Sequence, residues 1–254
     1  MNETSRIAVA GATGRVGRHV VDVLREQGYE VLPMARSLRV DVITGEGLDA
    51  ALVGVDCIVD TATGPSGDKS EATAFFTAAA RNLQAAGERA GVRRMVVVSI
   101  IGADRFAGGY AAATYEHEQA AAAGPIPVRV VRASQFHEFL PQLVEWGTQG
   151  DTAYVLDTRT QAVAARTVAE ALVAQAIDPD EDGPALSEVA GPRAERMVDL
   201  ATLWSERRDL GLKIVGVGDA DDPDQKLYDE GALLPGPDAT LGGPTFEEWL
   251  DSAG

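Results

Sequence analysis

Arg6-Ile7-Ala8-Val9-Ala10-Gly11-Ala12-Thr13-Gly14-Arg15-Val16-Gly17-Arg18-His19 joins a short apolar run to three glycines spaced G-x-x-G-x-x-G, and a helical pattern follows at once. The stretch predicts a strand, a tight turn and a helix whose free N–H groups face an incoming phosphate. A Cβ at those glycines would block the turn, the pyrophosphate or the packing of helix on strand. Glycine triplets also occur in purely structural turns. A preceding strand and a following helix favour dinucleotide binding.

Outward from this motif, apolar runs alternate with helical segments. Strands are expected at 7–10, 30–34, 39–42, 56–62, 94–99 and 128–132, with helices at 15–27, 70–90 and 111–123. Unbroken runs such as Met95-Val96-Val97-Val98 suit strands buried on both faces of a parallel sheet. Right-handed crossovers then give an α/β doubly wound fold, with the ligand beyond the strands' carboxyl ends. After residue 134 the pattern loosens into helices at 166–177, 195–210 and 246–252 between Pro/Gly/Asp loops. The expectation is a single domain over 1–254, in which residues 135–254 contribute a small substrate-side cap.

A net charge of −17 over 254 residues disfavours nucleic acid and anionic membrane as partners. The acidic runs Asp178-Pro179-Asp180-Glu181-Asp182 and 219–224 read as solvated surface. Cys57, the only cysteine, lies in an apolar run and reads as a small buried hydrophobe. The polar N-terminus has no apolar signal-peptide core, and no stretch approaches the roughly 18 apolar residues of a membrane span. A cytoplasmic protein, monomer or homodimer, is expected. Its three histidines lack ligand spacing, and no metal site is expected.

The choice of dinucleotide follows from the end of the second strand. NAD-selective folds place an acid there to hold the ribose 2′-hydroxyl. Here Val31-Leu32-Pro33-Met34-Ala35 leads into Arg36-Ser37, with Arg39 close behind. Arginine forks onto a 2′-phosphate through charge-assisted bonds worth about 1.5–3 kcal/mol each. Arg15, inside the glycine loop, is within the same reach. The alternative, arginines that merely coat the surface, is weaker, and NADP(H) is the expected cofactor.

At this point the chain resembles the atypical short-chain dehydrogenases/reductases of the NmrA-like group. The resemblance rests on Gly11-Ala12-Thr13-Gly14-Arg15-Val16-Gly17, Thr44-Gly45-Glu46-Gly47-Leu48, Val96-Val97-Val98-Ser99-Ile100-Ile101-Gly102 and Arg132-Ala133-Ser134-Gln135-Phe136-His137-Glu138-Phe139. Gly231-Ala232-Leu233-Leu234-Pro235 and Phe246-Glu247-Glu248-Trp249-Leu250 extend it to nearly the whole chain, more closely in the first half. It implies an extended Rossmann fold, a nicotinamide cofactor and a small-molecule pocket between sheet and cap. Gly11, Gly14 and Gly17, with Thr13, Arg15 and Val16 between them, would hold the pyrophosphate. Asp41 and Val42, ending a third strand, would lie beside the adenine, and Ala62 and Thr63 beside a ribose. Ser99 would lie near the nicotinamide, and Ser134, Gln135 and Phe136 would pack over it.

The larger superfamily reduces carbonyls with a Tyr-x-x-x-Lys pair. Alignment puts the tyrosine at Tyr110 and the lysine position at Thr114, and no lysine stands between Lys69 and Lys213. Without a cation beside it, a phenol titrates near 10, serves poorly as a base and still donates a proton. The expected activity is therefore NADPH-dependent reduction of a ketone, quinone or conjugated carbonyl, with Tyr110, Ser99 or His137 polarising the acceptor oxygen. Tyr115 is a weaker substitute. His137 and Glu138 offer a proton relay or a structural histidine. His117 reads as helix surface and His19 as the solvent side of the first helix. Trp146, Trp204, Trp249, Phe75, Phe76 and Tyr154 read as packing. The rival expectation is a non-catalytic, NADP(H)-sensing regulator that binds a protein partner.

Overall fold

Alternation along the strands builds two cores on one sheet. In β1 (Arg6–Ala10) the side chains of Ile7 and Val9 enter one apolar cluster, while Ala8 and Ala10 enter another. Successive strand residues point to opposite faces, so a strand covered on both sides reads as an unbroken apolar run. The same division runs through β3 (Cys57–Asp60) and β4 (Arg94–Ile100). The computed structural model describes residues 5–64, 66–181, 183–218 and 221–252; residues 1–4, 65, 182, 219–220 and 253–254, among them Asp182 and Asp219 of the acidic runs, lie outside them.

Between these strands run α1 (Gly17–Glu26), β2 (Glu30–Met34), a short α2 (Leu48–Ala51) and α3 (Lys69–Ala90). After β4 come α4 (Gly109–Ala122), β5 (Val128–Ala133) and α5 (Leu140–Gly147). The chain continues through β6 (Thr148–Gln149), β7 (Thr152–Leu156), β8 (Arg159–Thr160), α6 (Ala165–Ile177) and β9 (Leu186–Ala190). It closes with β10 (Glu195–Arg196), α7 (Met197–Arg207), β11 (Lys213–Val217), α8 (Gln225–Asp229), β12 (Thr240–Leu241) and α9 (Phe246–Ser252). Helix ends follow local chemistry. Asp68 accepts a hydrogen bond from the Glu71 N–H (3.0 Å) at the start of α3, and Gly91, at φ 76°, ends it in the left-handed region.

The main sheet has seven strands in the order β12-β9-β5-β4-β3-β1-β2, all parallel. This is the doubly wound Rossmann-type arrangement. Its order reverses at β1, which pairs with β2 through Ile7↔Val31 and with β3 through Ile7↔Cys57. The crevice for a ligand opens above the carboxyl ends of those strands.

The expected strand at 39–42 does not form. A 3-10 turn over Arg36–Leu38 follows β2, Arg39 takes φ 62°, and the Asp41 carboxylate accepts from the Ile43 N–H (2.7 Å). That side-chain turn competes with a strand ladder. β2 therefore remains the sheet edge. The second half also divides differently from the expected cap. α6 packs on α1, and β9 and β12 extend the main sheet. The three-stranded sheet β11-β7-β6, with α5, α7 and α9, encloses a separate apolar cluster that includes Leu140, Val144, Val155, Met197, Leu200 and Phe246.

Candidate cofactor and substrate site

The glycine loop is shaped by contacts too close for side chains. Gly11 has φ 73°, and a Cβ there would lie 2.7 Å from the Thr61 carbonyl oxygen. A Cβ on Gly17 would lie 2.2 Å from the Gly11 carbonyl oxygen and 2.6 Å from Thr61 Oγ1. Gly14 closes the turn by donating its N–H to the Gly11 carbonyl (2.9 Å). Thr61, which sequence reasoning passed over, locks the floor by donating to the Ala10 carbonyl (2.7 Å). No side chain caps α1 and no acid lies in its first turn, and Thr13, Gly14 and Arg15 are exposed. Val16 is buried beneath them. This cradle, with no room for a Cβ, fits a dinucleotide pyrophosphate.

Arg36, Ser37 and Arg39 stand exposed in the turn after β2. Neither arginine has a side-chain partner among the described residues, in a chain with 39 acidic residues against 22 basic ones. Arg15 is directed elsewhere than expected. Its guanidinium lies 5.3 Å from the Phe139 ring centroid and donates to Gln142 Oε1 (3.2 Å), bridging the glycine loop to the cap. Asp41 and Val42 lie in the loop between β2 and α2, where the Val42 carbonyl accepts from Asn82 Nδ2 (2.9 Å).

At the end of β3 a buried pair replaces what reads as surface. His117 is 1 % exposed; its Nε2 bonds the buried Asp60 Oδ2 (3.0 Å), and its ring stacks on Phe76 at 4.8 Å. The small residues around α3 and α4 bring these helices together and draw His117 inward. The other oxygen of Asp60 accepts from the Ala62 N–H (2.9 Å), which fixes the approach to exposed Thr63. An aspartate closing the apolar strand Cys57-Ile58-Val59-Asp60 was the one signal that a buried partner was required.

The proposed proton donors are held very differently. Ser99, buried on β4, donates to Glu118 Oε1 (2.5 Å), and Glu118 takes Arg132 through Nε (2.9 Å) and a terminal nitrogen (2.8 Å). Arg132 also pairs with Asp104. His137 is buried in the cap, its Nε2 bonding the Pro244 carbonyl (3.2 Å) and its ring packed on Phe246 and Trp249. Burial lowers its pKa from 6.5. Glu138 accepts the Ala165 N–H (3.0 Å) and so caps α6. Tyr110, in the first turn of α4, is half-buried with its ring 5.6 Å from Phe76 and no hydrogen bond on its hydroxyl among the described residues. Burial pushes its pKa up to about 12, with Arg15 opposing. The Thr114 hydroxyl, in the lysine position, turns back to the Ala111 carbonyl (2.7 Å).

Asp224 departs from the solvated reading of its acidic run. It is buried, and its carboxylate accepts from the N–H groups of Ala107 (3.0 Å) and Gly108 (2.7 Å), seating the segment that leads into Tyr110. Ser134 is also occupied, its hydroxyl 3.3 Å from that of Thr160. Gln135 and Phe136, half-buried, follow β5 toward the cap, where the Gln135 carbonyl accepts from the Val163 N–H (2.9 Å). Cys57 is buried, which pushes its thiol up to about 12. Among the described residues no group of three or more His, Cys, Asp or Glu is placed to hold a metal, and no helix is long and apolar enough to cross a membrane.

Cradle, sheet and switch point define a nicotinamide-dinucleotide-binding α/β protein. The chain belongs to the NAD(P)H-binding family, whose model matches residues 11–179. It is 29% identical over 115 residues to the photosystem II assembly factor Ycf39 of Synechocystis, a match covering 40% of this chain and 35% of that one. The chain thus spans about a third of the length of the curated relative it matches. Solved structures share the fold at low identity. TunA, an NAD-dependent NDP-hexosamine 5,6-dehydratase, superposes with a TM-score of 0.71 at 18% identity, covering 98% of this chain and 96% of that one. An Agrobacterium tumefaciens short-chain dehydrogenase/reductase superfamily protein with bound NAD gives 0.67 at 19% identity, covering 98% and 95%. A Clostridium acetobutylicum dTDP-4-dehydrorhamnose reductase gives 0.68 at 17%, covering 96% and 92%.

Proposed function

We propose that this chain is an NADPH-dependent reductase acting on a ketone, quinone or conjugated carbonyl of a small molecule. The observation that carries the cofactor preference is Arg36, exposed in the turn after β2 and without a side-chain partner among the described residues, where an acid would select NAD. In this reading Gly11, Gly14 and Gly17 hold the pyrophosphate, and Arg36 and Ser37 the 2′-phosphate. Asp41 and Val42 border the adenine, Ala62 and Thr63 a ribose, and Gln135 and Phe136 the nicotinamide face. The nicotinamide supplies the hydride.

Tyr110 is favoured over Ser99 and His137 as proton donor, because its hydroxyl has no partner among the described residues, whereas Ser99 Oγ and His137 Nε2 are held by Glu118 and the Pro244 carbonyl. A phenol with its pKa near 12 is neutral at pH 7 and has a proton to give. It makes a poor base, which supports reduction over alcohol oxidation. Tyr110 thus protonates the acceptor oxygen as charge builds on it.

One observation favours a second reading, an NADP(H)-sensing regulator: Thr114 spends its hydroxyl on its own helix and supplies no cation from the position where the reductases' lysine is expected. The likeness to an assembly factor points the same way. Acceptor-dependent oxidation of NADPH decides between them. The reductase consumes NADPH in proportion to a quinone or enone acceptor. A sensor distinguishes NADPH from NADP⁺ in affinity and leaves both unchanged.

A further inference from the structure

The cap encloses a cavity of about 370 Å³ whose walls include Phe139, Leu143, Trp146, Tyr154, Met197 and Tyr228. No lining side chain carries a charge. That is unexpected in a chain of which 24% of residues are charged. The volume suits a small organic ligand. Two aromatics at its walls stand open to solvent, Trp146 at 64% and Tyr154 at 40% exposure. Large apolar rings left exposed beside an apolar hollow mark a ligand site.

The cavity adjoins the cofactor crevice at two points. Gln135, directly beyond the β5 strand end, lines it, and so does Phe139, the ring over which Arg15 of the glycine loop sits. Its polar groups are few and neutral. The Thr158 hydroxyl is spent on the Tyr228 carbonyl (3.1 Å). The Gln135 amide and the Tyr228 hydroxyl have no protein partner among the described residues. Burial, then Asp222 and Asp224, raise the Tyr228 pKa and keep its phenol protonated.

A diphosphate placed here would keep its charges in an apolar hollow with no cation among the lining side chains. Flat rings instead find offset and edge-on partners on several sides. We infer that the cavity takes the ring body of an uncharged aromatic acceptor about the size of two fused rings and rejects nucleotide-linked sugars. This assignment rests on the reductase reading, since it takes the cap cavity as the acceptor site.

The test is calorimetric titration of the full chain with 2-methyl-1,4-naphthoquinone and, separately, UDP-glucose, both with NADP⁺ present so that nothing turns over. The naphthoquinone is expected to bind, and the double variant Trp146→Ala/Tyr154→Ala to weaken it at least about tenfold, since both rings are solvent-exposed and their loss leaves the core intact. UDP-glucose should give no heat. Equal or tighter UDP-glucose binding, no naphthoquinone binding, or quinone affinity indifferent to the double variant overturns the assignment. NADP⁺ affinity is measured on the same samples. Its absence beside intact, variant-sensitive quinone binding supports the cavity and counts against the reductase reading alone.

Discussion

The two sides of the crevice obey different constraints. On the cofactor side the decisive features are backbone: Gly11 and Gly17 leave 2.7 Å and 2.2 Å to the nearest atoms where a Cβ would stand, so almost nothing but glycine serves. On the side proposed for the acceptor, the features are side chains: Thr114, whose hydroxyl turns back to its own helix, and an uncharged aromatic hollow built from α5, β7 and α8. A dinucleotide demands one shape of loop, whereas an acceptor demands only some set of side chains.

Variants can break that contrast or sharpen it. Tyr110→Phe should lower kcat by about two to four orders of magnitude while NADPH affinity holds, as loss of a general acid does. Steady-state kinetics with matched binding titrations check this, and unaltered turnover removes the tyrosine from the mechanism. Gly17→Ala should cost about 1–3 kcal/mol of stability through overpacking, and NADPH binding with it. Urea denaturation with and without NADPH measures both, and a silent substitution would mean the loop relaxes freely.

On the cap side, burial lowers the His137 pKa below its ordinary 6.5, so the unfolded chain binds the proton more readily. That contribution to stability is complete above pH 6.5 and is lost as pH falls toward the lower folded value. The thermal midpoint of His137→Gln should therefore fall less steeply than that of the parent between pH 7 and pH 5. Parallel slopes would mean that folded and unfolded chains bind the His137 proton equally well, with no shift from burial. The smallest effect belongs to Arg15→Gln, which removes the cation from Phe139 and should cost about 0.5–1 kcal/mol by thermal unfolding without cofactor.

Wherever one face or one backbone position sets the rule, the fold was legible. The alternating clusters of β1 and the helix over Phe246–Ser252 follow directly from sequence pattern. The expected strand at 39–42 failed because the Asp41 carboxylate and the left-handed Arg39 settle that segment locally, against the apolar Val40 and Val42. His117 and Asp224 looked solvated because their neighbours in sequence are polar. Their partners, Asp60 and the Ala107–Gly108 backbone, are brought to them only by tertiary packing. The aromatic cavity was illegible for the same reason, since Gln135 and Tyr228 meet from segments almost a hundred residues apart. The glycine cradle needed no such assembly.

The most direct test is a side-by-side titration of NADPH, NADP⁺, NADH and NAD⁺ against the parent chain and Arg36→Ala. Micromolar NADPH binding that the variant weakens by about one to two orders of magnitude, with NADH binding spared, is the predicted result. Binding of none of the four, or equal loss of NADPH and NADH, would contradict a 2′-phosphate held at Arg36.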